Sequence, residues 1–103
     1  MKIELLYFDD CPNWRETLDD IGAILQEHHM PLEMELVKVA SDEEAVHLAF
    51  PGSPTVRVDG VDVEPDAPTT GFGLACRIYT VEDEPQGRPP KEWIAAALDA
   101  ALG

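Results

Sequence analysis

Cys11 and Cys76 are the only two cysteines of the chain, and Cys11 stands in the run Asp9-Asp10-Cys11-Pro12-Asn13-Trp14 directly after an apolar stretch. A thiol reacts as its thiolate, which is favoured where the unpaired N–H groups and partial positive charge of a helix start lie close by. Pro12 suits such a start, because the first helical position has no use for an N–H, and it would aim the sulfur outward. Cys11 is thus the candidate nucleophile. Asp9 and Asp10 place negative charge beside it, so the expected acidity is moderate. The plainer alternative is a buried cysteine serving as a small apolar side chain at a helix cap.

Cys76 is the candidate resolving thiol if the two α-carbons approach to about 4.4 to 6.8 Å. If Leu74 to Val81 pairs with the third strand as a regular hairpin, Cys76 lies toward the end away from Cys11. If Val61 to Glu64 completes the sheet instead, the chain returns over Cys11 and the sulfurs can meet. The first arrangement is the expectation. A cysteine pair also suits a soft ion such as Hg(II), Cu(I) or Zn(II), although a closed zinc site takes about four ligands. His28, His29 and His47 sit at a helix end or on a polar helix face and read as solvated. No metal site and no cofactor are expected, and neither a serine–histidine–acid arrangement nor a phosphate-cradling glycine loop is present.

The elements around these residues follow from apolar periodicity. Lys2 to Phe8 is apolar with little alternation, which predicts a strand covered on both faces. Trp14, Leu18, Ile21 and Leu25 recur at helical spacing and predict a first helix ending near His28 to Pro31. Glu33 to Val39 alternates as a second strand. Ser41 and Glu44 form a capping box for a short helix reaching Phe50 and closed by Pro51-Gly52. Pro54 to Asp59 predicts a third strand ending in the turn dipeptide Asp59-Gly60. Val61 to Gly73 reads as irregular, Leu74 to Val81 as the fourth strand, and Glu82 to Arg88 as an acidic loop. Pro89-Pro90 opens a last helix with Trp93, Ile94, Ala97, Leu98, Ala101 and Leu102 on one face. Trp14 and Trp93 read as packing residues, and Trp14 could also shield the thiol.

The order βαβαββα implies an α/β domain with a four-stranded mixed sheet flanked by helices. The length of 103 residues suits one domain, residues 1–103, with one core. Twenty-one acidic against seven basic residues leave a formal charge of −14, which repels phosphate and anionic lipid and argues against nucleic acid or membrane partners. With no long apolar run and no basic segment leading into one, a cytoplasmic location is expected.

With Cys11 at the first strand–helix junction and Ser53-Pro54-Thr55 opening the third strand, the chain resembles the thioredoxin and glutaredoxin superfamily over nearly its whole length. Cys11-Pro12 matches the first two positions of the glutaredoxin motif C-P-x-C, while Trp14 occupies the fourth, where the dithiol enzymes carry their resolving cysteine. The run D-C-P-N-W, together with G-S-P-T-V-R-V-D-G and A-C-R-I-Y, is also similar to small bacterial thioredoxin-like proteins associated with organomercurial or heavy-metal resistance. The resemblance implies a thioredoxin-like fold and a cis peptide bond at Ser53-Pro54; a trans proline starting an edge strand is the alternative. It assigns substrate positioning to Pro12, Asn13 and Trp14 beside the thiol and to Ser53, Pro54 and Thr55 facing it. Ser53 backbone groups would hold an extended peptide or thiol substrate. No glycine-glycine-x-aspartate segment of the glutathione-binding kind follows the fourth strand.

Three functions follow. The leading one is a thiol-dependent redox protein acting on a thiol or disulfide substrate, protein or small molecule, through Cys11, with an external thiol or, failing that, Cys76 to resolve it. The others are a soft-metal or organomercurial thiol-binding protein and a non-catalytic thioredoxin-like interaction module.

Overall fold

A computed structural model describes residues 2–27, 33–65 and 67–102. In chain order these form β1 (Lys2–Tyr7), α1 (Asn13–Glu27), β2 (Glu33–Lys38), α2 (Asp42–His47), β3 (Thr55–Val58), β4 (Val61–Asp62), β5 (Tyr79–Val81), β6 (Glu84–Gln86) and α3 (Lys91–Leu102). The expected end of the first helix at His28 to Pro31 falls outside the described residues.

The main sheet has four strands in the order β2-β1-β3-β4, with β1 and β2 parallel and both the β1–β3 and β3–β4 pairs antiparallel. Parallel pairing requires a crossover, and α1 supplies it. Because side chains alternate along a strand, β1 feeds two apolar layers. Ile3 and Leu5 pack with Ile21 and Ile24 of α1 and Ile94 and Leu98 of α3. Leu6 points the other way, to Val39, Ala45 and Phe50 around α2. The sheet is therefore covered on both faces, as the near-continuous apolar run of β1 requires.

Local signals hold where they were strongest. Ser41 caps α2, its Oγ accepting from the Glu44 N–H at 3.1 Å. Asp59 and Gly60 take positive φ values of 51° and 83° and join β3 to β4 with Val58 opposite Val61, a two-residue hairpin turn. No helix among the described residues is long and apolar enough to cross a membrane.

The chain after Gly60 departs from expectation. The fourth strand of the sheet is Val61–Asp62, not Leu74 to Val81. A two-residue connection forces the next residues straight back along β3, which fills the sheet edge before Leu74 is reached. Tyr79–Val81 instead pairs with Glu84–Gln86 in a separate two-stranded hairpin, so part of the expected acidic loop is a strand. Two helix ends also shift: α1 begins at Asn13, two residues past Cys11, and α2 closes at His47 rather than Phe50, with Ala49 at φ 52°.

Candidate functional site

Cys11 lies between β1 and α1, where its N–H donates to the Phe8 carbonyl at 3.2 Å and the Arg15 N–H reaches Pro12 at 3.3 Å to close the first turn. The residue is fully buried, at 0% exposure, so the outward-facing sulfur expected from Pro12 is not found. It is bonded instead. Cys11 and Cys76 form a disulfide with their α-carbons 5.7 Å apart, and Cys76 itself is exposed. The expectation that Cys76 lies away from Cys11 is thereby corrected: once Val61–Asp62 takes the sheet edge, the following chain passes back over the β1–α1 junction.

Cys76 is placed by pairing with Ser53 across an isolated parallel bridge. The Ser53 N–H donates to the Ala75 carbonyl at 2.8 Å, and the Arg77 N–H donates to the Ser53 carbonyl at 2.9 Å. The Ser53 backbone, expected to hold a substrate, is thus occupied by this chain's own segment. The Ser53-Pro54 bond is cis. Cys11 Sγ lies 3.5 Å from the Ser53 carbonyl oxygen; the disulfide sulfur carries no proton, so this contact becomes a hydrogen bond only in the reduced thiol. Ser53 Oγ is buried with no partner among the described residues. The approach is close because residue 52 is glycine. A Cβ there would lie 2.9 Å from Arg77 Cβ and 3.0 Å from the Ala75 carbonyl, and the φ of 142° also disfavours a side chain.

Arg77 fixes the segment from its other side. Its Nη1 donates to Asp62 Oδ2 at 2.8 Å and Thr55 Oγ1 at 3.0 Å, and its Nη2 to Glu64 Oε1 at 2.6 Å. The guanidinium also stands 4.5 Å from the Tyr79 ring centroid. Burial works to lower the Arg77 pKa, but the hydrogen bonds to Asp62 and Glu64 and the field of Tyr79 more than offset it, leaving the group above its ordinary value. Tyr79 Oη donates to the Pro54 carbonyl at 2.6 Å, and burial raises its pKa well above the phenol range. Thr55 Oγ1 both accepts from Arg77 and donates to the Gly52 carbonyl at 2.6 Å.

The expected residues therefore divide. Cys11, Ser53, Pro54, Thr55 and Cys76 come together. Pro12 is exposed and Asn13 half-buried at the helix opening, while Trp14 stacks on Tyr7 with ring centroids 4.3 Å apart and packs against the larger core cluster. His47 is exposed, and His28 and His29 lie outside the described residues. No group of three or more His, Cys, Asp or Glu among the described residues could hold a metal ion.

Sequence reasoning missed Gly52, Asp62, Glu64, Arg77 and Tyr79. Its available signal was spacing: Asp62 and Glu64 share one side of an extended chain, as do Arg77 and Tyr79, and the two sides face each other here.

Two concavities flank this region. The larger, about 520 Å³, is walled in part by Arg57, Asp62 and Phe72 and has no cysteine in its lining. The smaller, about 300 Å³, is lined by Phe8, Asp9, Asp10, Lys38 and Leu74 among others; it too has no cysteine in its lining, but Asp10 and Leu74 lie one and two residues from Cys11 and Cys76. Lys38 pairs with Asp9 there at 2.6 Å, and that hydrogen bond raises the Lys38 pKa.

Comparison with protein-family models, with curated proteins and with solved structures finds no match.

Proposed function

We propose that the chain is a thiol–disulfide redox protein of thioredoxin-like topology whose working couple is Cys11–Cys76. The observation that carries this reading is the pairing of a buried Cys11 with an exposed Cys76 at a Cα separation of 5.7 Å. With the β5–β6 hairpin set aside, the order β1-α1-β2-α2-β3-β4-α3 matches the expected βαβαββα pattern, and the proline opening β3 lies beside the junction that carries Cys11. Both features support the topology.

In one half-reaction the protein disulfide and two substrate thiols become two protein thiols and one substrate disulfide; the reverse reduces a substrate disulfide, and there the internal pair resolves its own mixed disulfide. Turnover returns the pair to its starting state through a second thiol or disulfide. A purely structural bond is the competing role, because closing so long a loop stabilises a chain by about 4 kcal/mol. Exposure of one partner favours exchange, as accessible disulfides are the labile ones.

The test is equilibration of the protein in thiol/disulfide buffers of graded ratio, followed by alkylation and mass measurement. A single two-electron transition between dithiol and internal disulfide, absent in Cys11→Ser and in Cys76→Ser, is the expected result. A bond that stays closed at every ratio, or cysteines that never pair, overturns the reading.

A further inference from the structure

Resting on that reading, we propose that Cys76 is the sulfur that meets the substrate and that Cys11, despite its place at the strand–helix junction, is the resolving thiol. Thiol–disulfide exchange runs along the S–S axis, the incoming sulfur approaching opposite the one that leaves. Attack on Cys76 Sγ comes from the side away from Cys11. Attack on Cys11 Sγ must come from behind a residue of 0% exposure. Cys76 is exposed, so the first route opens to solvent and the second to the core.

The surroundings reinforce this assignment. The Ala75–Arg77 segment is held by both Ser53 backbone bonds and by the Arg77 contacts to Thr55, Asp62 and Glu64, none of which involves a cysteine side chain. Breaking the disulfide leaves them all in place, so Cys76 stays within reach of Cys11 while a substrate is attached to it. The same bonds occupy the Ser53 N–H and C=O, which closes that edge to an extended peptide. The substrate class is therefore a small thiol or disulfide, or a protruding protein thiol, reaching Cys76 alone. With 21 acidic against seven basic residues, a cationic thiol is favoured over an anionic one.

In reduction of the protein, a substrate thiolate bonds to Cys76 Sγ, the Cys11–Cys76 bond breaks, and its electron pair leaves on Cys11 Sγ, which then takes a proton. A second substrate thiolate attacks the substrate sulfur of this mixed disulfide and frees the Cys76 thiolate. In the other direction the Cys76 thiolate attacks a substrate disulfide and expels one thiolate. Cys11 then attacks Cys76 Sγ and expels the second.

The experiment treats fully reduced protein with cystamine, a small dicationic disulfide, quenches with acid at short times, and locates the first adduct by peptide mass mapping. Wild type is expected to carry cysteamine first on Cys76 and then to close its internal disulfide. Reduced Cys11→Ser is expected to form a lasting Cys76 adduct at least roughly tenfold faster than Cys76→Ser forms one on Cys11. A first adduct on Cys11 in wild type overturns the assignment, whatever the variants do. Wild type that takes an adduct on Cys76 but never closes the internal bond overturns the redox reading beneath it instead. Dithiodiglycolate, an anionic disulfide, is expected to react more slowly than cystamine at low salt; equal rates remove the charge preference.

Discussion

Cys11 sits between two regular elements whose apolar faces, Ile3 and Leu5 of β1 and Ile21 and Ile24 of α1, are packed into one core. Cys76 lies outside every helix and strand, on a segment held by Ser53, Arg77 and Tyr79. Burial of apolar area is non-directional and tolerant, so it places Cys11 robustly with no single residue in charge. A buried polar network is directional: complete, it fixes one geometry, and broken at one member it leaves uncompensated groups. Half of the site therefore rests on many interchangeable contacts and half on a few that are not.

The largest expected effect comes from breaking the second half at its centre. Arg77→Ala leaves Asp62 and Glu64 without their shared partner and is expected to cost about 3 kcal/mol, read as a drop of roughly 10 °C or more in the melting midpoint. The fraction of internal disulfide at a fixed thiol/disulfide ratio should fall with it. An unchanged fraction would show that Cys76 is positioned by something other than the network.

Next in size is Gly52→Ala, which drives a Cβ into Arg77 and the Ala75 carbonyl and adds backbone strain. A loss of about 1 to 3 kcal/mol is expected in denaturant titration. Resolution of a Cys76 mixed disulfide should also slow, because the segment is pushed off Ser53.

Tyr79→Phe removes the hydrogen bond to Pro54 and is expected to cost about 1 kcal/mol near neutral pH. The same residue sets an alkaline limit. Its folded-state pKa is raised from 10.0, so above pH 10 the unfolded chain releases the phenolic proton while the folded chain keeps it. The unfolded state then binds fewer protons, and stability falls as pH rises past 10. Below 10 both states keep the proton and Tyr79 adds no slope. Melts from pH 8 to 11 should show the decline in wild type and a shallower one in the variant.

The smallest effect is expected at Ser53→Ala. Its hydroxyl is buried without a partner, while its N–H and C=O do the bridging, so the midpoint should stay within about 0.5 kcal/mol of wild type or rise. A loss beyond 1 kcal/mol would mean that the hydroxyl, and not only the backbone, secures Cys76.

Legibility followed the same division. β1, α1, β2, α2, β3 and α3 could all be read from periodicity and capping, since each carries an apolar pattern or a cap that the chain spells out locally, although Leu36 of β2 is exposed. The β3–β4 hairpin is also spelled out, in Val56, Val58, Asp59-Gly60, Val61 and Val63, where a return through Val61 to Glu64 is the alternative to the expected fourth strand at Leu74 to Val81. A two-residue strand such as Val61–Asp62 is too short for alternation to register. A fourth strand at Leu74 to Val81 would carry Cys76 to the end away from Cys11.

The sequence by itself determined a mixed α/β core, a cysteine at the first strand–helix junction and a proline opening the strand beside it, because these depend on residues a few positions apart. Only the tertiary structure decided that Cys76 meets Cys11 and that Ser53 receives this chain's own segment. The Ser53 bridge and the Arg77 ion pairs link residues distant in sequence through hydrogen bonds, whose partners carry no periodic signature and exist only once the sheet edge has been filled.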